Sequence, residues 1–183
     1  MSMFIQPIED LEKFYENEDP WGYDSIPDDK ARKERLLSFL PRQKYSRVLD
    51  IGSGNGFVTF DLPGEQIFGL DVSSNAVRWA NARAHARNEF ERYKFFHASL
   101  FDIPEMNFGT FDMIIITGVL YSQYIGKSRI LTNLIIDSIL NKGGILVSCH
   151  IDDWNTGRFP YSVIDVSVYQ YREYFHRLEV YKK

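Results

Sequence analysis

Apolar positions near the start of the chain follow a helical period. Ile8, Leu11, Phe14 and Tyr15 fall on one face, which predicts a short amphipathic helix. The run Asp19-Pro20-Trp21-Gly22-Tyr23 breaks it. Pro27 then opens a second helix, with Asp28 and Asp29 as cap and first-turn acids, and Pro41 stops it after Leu40. Leu36, Leu37, Phe39 and Leu40 are expected to pack inward. Lys30, Arg32, Lys33 and Arg35 are expected to form a solvated face.

From Arg47 the pattern changes to short apolar runs alternating with helical stretches. Strands are predicted over residues 48–51, 67–70, 95–98, 111–117 and 145–149. Between them lie a short helix at 56–62 stopped by Pro63-Gly64, a long helix capped by Ser73 or Ser74 and reaching about Asn88, and a helix from Ser128 to Asn141 with Gly143 as its stop. Met113, Ile114, Ile115 and Ile116 read as buried on both faces, as in a parallel sheet. Residues 162–171 and 175–182 alternate apolar with polar and predict a closing hairpin. Alternating strands and helices imply an α/β fold with a mostly parallel sheet, whose ligand sits beyond the carboxyl ends of the strands. Residues that follow each strand are therefore the site candidates.

The stretch Val48-Leu49-Asp50-Ile51-Gly52-Ser53-Gly54-Asn55-Gly56-Phe57 carries the strongest chemical signal. An apolar strand ends in glycines, which let a ligand approach the backbone directly. The dinucleotide fingerprint needs a small third residue where this chain has Phe57, which disfavours an NAD oxidoreductase. Asp71, at the end of the second strand and 19 residues past Gly52, is placed to bind a ribose diol.

Composition narrows the picture. The 183 residues suit one domain, with residues 1–44 as an N-terminal helical arm or lid and 45–183 as the cofactor-binding core. Net charge is −4, and the first 29 residues hold nine acids against Lys13 alone, so nucleic acid is not expected as a partner. Cys149 stands alone, which excludes an internal disulfide and a cysteine-type zinc cluster and points to a reducing compartment. No signal-like segment or membrane-length apolar run occurs, so a cytoplasmic protein, monomeric or homodimeric, is expected.

Among residues beyond the strand ends, His150 is a candidate base and Tyr121 a candidate hydrogen-bond partner for a substrate. Trp21 and Tyr23, with Tyr15, suit a lid. Cys149 is expected to be buried and inert, and His85, His97 and His176 to lack partners. Asp152 and Asp153 follow His150 without metal-ligand spacing, so no metal is expected.

Residues 48–57, 68–73, 95–104, 111–121 and 142–150, in this order, resemble the class I S-adenosylmethionine (SAM)-dependent methyltransferases. The resemblance implies a Rossmann-like, doubly wound, seven-stranded sheet with the last strand antiparallel. It implies SAM as cofactor, with S-adenosylhomocysteine (SAH) as product, across Gly52, Gly54 and Asp71. Asp50, Ser53, Phe57, Val72, Thr117, Gly118 and Trp21 complete the implied cofactor set. Ser99, Leu100 and Phe101 stand at the family's adenine edge, with Ser99 where Asp is more usual. Asp19-Pro20-Trp21-Gly22-Tyr23 and residues 111–121 resemble the NodS-like branch, which N-methylates an amine on a chitooligosaccharide. Gly118 departs from that branch, which tends to carry Glu there. The resemblance thus implies methyl transfer to N or O of a small molecule or glycan. The alternatives are a hydroxyl- or carboxylate-directed O-methyltransferase and a non-catalytic SAM-binding protein. Thr117-Gly118-Val119-Leu120 lacks the Pro-Pro-aromatic segment used on nucleic-acid amines.

Overall fold

The computed structural model describes residues 6–23, 25–155 and 157–183. The first five residues of the start searched for a signal lie outside them. Helix α1 (Ile8–Phe14) and helix α2 (Pro27–Phe39) precede strand β1 (Arg47–Ile51). Then follow β2 (Gln66–Asp71), α3 (Ser74–Ala86), β3 (Tyr93–His97), α4 (Ile103–Met106), β4 (Phe111–Thr117), α5 (Ser122–Ile125), α6 (Arg129–Ile139), β5 (Leu140–Ile151), β6 (Ser162–Tyr171) and β7 (Tyr174–Lys182). The sheet order is β3-β2-β1-β4-β5-β7-β6. Strands β1 to β5 pair in parallel, β7 runs antiparallel to both β5 and β6, and the expected doubly wound sheet is present.

Side chains of β4 split between two cores, as the apolar run required. Met113 and Ile115 pack with α2 and α3 residues such as Leu36 and Ala80. Ile114 and Ile116 pack on the other face with Ile135, Ile136 and Ile139 of α6. All four are fully buried, each worth about 1.5–3 kcal/mol of apolar burial. Chain order reverses between β1 and β4, so the crevice beyond their carboxyl ends is the switch point.

Three local expectations are corrected. After the glycine loop only a 3-10 turn forms, Thr59–Asp61, because Pro63 follows too soon for a full helix. Helix α6 does not stop at Gly143. It passes directly into β5 at Leu140, which pairs with Phe111, and Gly143 takes φ +78 inside an irregular start of that strand. At α2, Ile26 holds the cap position without a side-chain bond, while Asp29 turns inward and is fully buried.

Among the described residues no helix lies between β5, which ends at Ile151, and β6, which begins at Ser162. No helix among the described residues is long and apolar enough to cross a membrane.

A cavity pair at the strand ends

Two cavities meet at the switch point. The smaller, about 190 Å³, is lined by Gly52, Asp71, Val72, Ser99, Leu100, Phe101, Thr117 and Gly118, with Leu11, Tyr15, Trp21 and Tyr23 from the arm. The larger, about 470 Å³, shares Gly52, Thr117, Gly118, Tyr15, Trp21 and Tyr23 and adds Asp50, Ser53, Gly54, Phe57, Arg32 and Tyr121. Every residue implied as cofactor-binding therefore faces one or both spaces.

The glycine loop is stitched to β2: the N–H groups of Gly52 and Ser53 both donate to the Leu70 carbonyl, at 2.8 and 3.0 Å. Gly54 takes φ +55, and a Cβ there would lie 2.7 Å from the Tyr15 hydroxyl. Only glycine lets the arm close this far. The Gly54 N–H donates to Asp71 Oδ2 at 2.8 Å, and the Ser73 N–H donates to Oδ1 at 2.9 Å. Burial pushes the Asp71 carboxyl upward, and these two amides pull it back. Each oxygen keeps a lone pair for a further donor.

Asp50 is 2% exposed and accepts from Thr59 Oγ1 at 2.6 Å. Burial pushes its carboxyl up to about 6. Ser53 Oγ is buried without a partner. Ser99 accepts from the Phe101 N–H at 3.1 Å, and its own N–H donates to Asp102, which forms a capping box while the residue still lines the smaller cavity. Gly118 takes φ +67, and a Cβ there would meet nothing within 4 Å, so open space stands where the NodS-like branch tends to carry Glu.

The arm covers both cavities. Phe14, Trp21, Tyr23 and Phe57 stack in a column, with centroid spacings of 5.1, 6.5 and 4.9 Å, each such pair adding about 0.5–1.5 kcal/mol. Glu12 latches the arm by accepting from Ser73 Oγ and from the N–H groups of Ser74 and Asn75, at 2.9, 2.7 and 3.1 Å, at the start of α3. Asn55 Nδ2 donates to the Glu18 carbonyl at 2.7 Å, and Trp79 Nε1 to that of Tyr15 at 3.0 Å. Glu12 escaped the sequence reading, since nothing in its spacing ties α1 to α3.

The two residues expected to be catalytic differ. Tyr121 lines the larger cavity, and its hydroxyl oxygen accepts from the Ile151 N–H at 2.9 Å. That leaves the phenolic hydrogen to donate, and burial pushes the phenol up to about 12. His150 lines neither cavity. It is 2% exposed, and its Nε2 accepts from the Leu120 N–H at 3.1 Å while Nδ1 faces Ser148 Oγ at 3.1 Å. A backbone amide can only donate, so Nε2 is unprotonated and its lone pair is occupied. Burial, aided by Arg129, pushes the imidazole down to about 3. As a base reaching a substrate, His150 does not fit this geometry.

Further corrections concern residues read as bland. Arg32 is not solvated. Its side chain is 11% exposed and lies over the Tyr23 and Tyr171 rings, at 5.6 and 5.4 Å. His176 has partners: it is 8% exposed, packs 4.7 Å from the Tyr171 ring and lines the larger cavity. His97 Nε2 lies 3.0 Å from the Val72 carbonyl, and His85 stacks on Phe90. Cys149 is buried as expected, yet it also borders the larger cavity.

A family model described as a methyltransferase domain matches residues 42–177. Among solved structures, the N-methyltransferase NodS from Bradyrhizobium japonicum in complex with S-adenosyl-L-homocysteine superposes with a TM-score of 0.77 at 20% identity, covering 96% of this chain and 97% of that one. The magnesium protoporphyrin IX methyltransferase from Synechocystis PCC 6803 with bound SAM superposes with a TM-score of 0.68 at 14% identity and full coverage of both chains. A tRNA U34 carboxymethyltransferase from Vibrio cholerae serotype O1 is 32% identical over 93 residues, 49% of this chain. The match spans about 28% of that relative's length.

Proposed function

The chain belongs to the methyltransferase-domain family, whose methyl donor is S-adenosylmethionine, and from that premise we propose that it methylates a nitrogen or oxygen of a small-molecule or sugar-like acceptor. One observation carries the reading. The Asp71 carboxylate, fixed by the Gly54 amide, faces the same cavity as Ser99 and the open backbone at Gly118.

These residues fit the donor. Asp71 would take the ribose hydroxyls, Val72, Ser99, Leu100 and Phe101 the adenine, and Gly52, Ser53, Gly54, Thr117 and Gly118 the amino-acid end, where the unpartnered Ser53 hydroxyl offers a hydrogen bond. Asp50 and Phe57 line the adjoining wall, and Trp21 closes both spaces from the arm. When bound, SAM supplies an electrophilic methyl group on a sulfonium.

The protein's part is alignment and exclusion of water. The aromatic column of the arm covers the site, so residues 1–44 act as a lid on a 45–183 core. Tyr121 donates its phenolic hydrogen toward the acceptor in the larger cavity. His150 is a positioning residue: it holds the Leu120 amide and so fixes the segment that carries Gly118 and Tyr121. The net charge of −4 supports a small acceptor over tRNA, whose binders are basic.

Calorimetry with SAH and with NAD, on wild type and Asp71→Ala, tests the reading. Wild type is expected to bind SAH and not NAD. Removing a charge-assisted acceptor costs about 1.5–3 kcal/mol, so Asp71→Ala should weaken SAH at least tenfold. Equal SAH affinity in both proteins refutes the assignment. Radiolabelled SAM with pools of amino sugars and sugar alcohols separates catalysis from mere cofactor binding.

A further inference from the structure

The larger cavity contains a cation with no ligand assigned to it. Arg32 borders it from α2, one turn after the buried Asp29. Its Nε is buried without a hydrogen-bond partner among the described residues. Among the described residues the nearest carboxylate, Asp29, lies 3.8 Å from that nitrogen and is already engaged by the Arg172 guanidinium at 2.7 Å and by the Tyr171 hydroxyl. Two guanidiniums thus share one fully buried carboxylate. Burying a guanidinium with an incomplete set of acceptors is unfavourable, and a complementary anion removes that cost.

The surroundings narrow the anion. The guanidinium lies over the Tyr23 and Tyr171 rings, which fixes its plane and keeps its N–H donors as a planar fork. A planar, two-oxygen acceptor matches such a fork. Among the described residues the other titratable side chains lining this cavity do not supply it. His176 and Cys149 are neutral in the fold, both through burial. Glu173 belongs to the exposed hairpin turn, and Asp50 is bonded to Thr59 under the glycine loop. Tyr121, Trp154 and Tyr174 provide apolar and aromatic walls between.

We propose that the methyl acceptor carries a carboxylate, which Arg32 binds at the far end of the larger cavity, so that Arg32 determines substrate class. The proposal rests on the reading of this space as the acceptor site. It points to aromatic or sugar acids rather than neutral glycans.

The test uses the full chain saturated with SAH, titrated with benzoate and with its neutral isostere benzamide. SAH affinity is recorded first on every protein, so failure of the cofactor reading shows as absent SAH binding, independently of the carboxylate result. Wild type is expected to bind benzoate at least tenfold more tightly than benzamide. Arg32→Gln should abolish that preference, and Arg32→Lys should retain part of it. Equal binding of the two probes, absence of binding by both, or a preference that survives in Arg32→Gln overturns the proposal. Should Arg32→Gln fail to fold, the wild-type pair and Arg32→Lys still decide it. Phenyl phosphate forms a third arm, and tighter binding of it than of benzoate overturns the choice of carboxylate.

Discussion

Asp50→Asn offers the sharpest reading of what the glycine loop costs the fold. Asp50 ends up under the loop with Thr59 Oγ1 as its hydrogen-bond donor and 2% of its surface exposed. Its carboxyl rises from the ordinary 3.8 to about 6, mainly through burial, with the Thr59 hydroxyl pulling the other way. The sign follows. Well below pH 3.8 the folded and unfolded chains both hold the proton, and no penalty exists. Above pH 6 the folded chain must bury the charge while the unfolded chain solvates it. The gap corresponds to roughly 3 kcal/mol lost from stability as pH rises through that window.

Asparagine keeps an acceptor for Thr59 and removes the charge. It also introduces an amide that needs its own partner, an offset of about 1–3 kcal/mol that does not depend on pH. The informative quantity is therefore the change in the stability difference between the two proteins, not its value at one pH. Urea unfolding of wild type and Asp50→Asn at pH 4 and pH 8 should show the variant gaining about 2–3 kcal/mol relative to wild type at the higher pH. With a slope near 2 kcal/mol per molar, that is a relative midpoint shift of about 1 M. A stability difference that is the same at both pH values refutes the argument, since a solvated carboxylate would give that result.

Two further predictions use the same kind of bookkeeping. Glu12→Ala removes the latch on the α3 start, where N–H donors outweigh burial and hold the Glu12 carboxyl below its ordinary range. Helix α1 has no fully buried residue of its own, so a loss of about 1–2 kcal/mol should open the arm and weaken SAH about 5- to 30-fold by calorimetry; unchanged affinity removes the arm from the site. His150 sits near 3 against an ordinary 6.5, so its contribution is complete above pH 6.5 and is lost as pH falls toward 3. Relative to His150→Gln, wild type should lose about 1.4 kcal/mol per pH unit between pH 6 and 4, and parallel profiles in urea unfolding refute the buried neutral imidazole.

What the sequence reveals here depends on whether a residue's environment is local. The parallel sheet is legible because the Met113–Ile116 run needs no knowledge of its neighbours to be read as doubly buried. The place of Asp71 at the cavity is legible because its strand, loop and helix are consecutive. His150 shows the limit. The strand runs on to Ile151, so His150 lies inside it, and its role turns on the Leu120 amide, 30 residues away, that occupies its lone pair. The helical stop at Gly143 fails for a similar reason: pairing of Leu140 with Phe111 begins the strand before the glycine is reached.

Arg32 is the instructive miss, because its signal was present. Asp29, Arg32, Leu36 and Leu40 follow one another at spacings of three and four, so they share one face of α2. Leu36 and Leu40 are expected inside and are buried, and that alone places Asp29 and Arg32 on the buried side. Of the other basic residues expected on a solvated face, Lys30 and Arg35 are exposed, while Lys33 is 20% exposed, pairs with Asp61 and lies over the Phe57 ring. A charged pair on an apolar stripe is costly unless something answers it. Asp29 is answered by Arg172 and Tyr171 from the hairpin. Among the described residues Arg32 is answered by the tyrosine faces and, at 3.8 Å, by the same Asp29, and it borders the larger cavity. The same helical face that anchors the arm to the core thus also brings a cation to the space where an acceptor would lie.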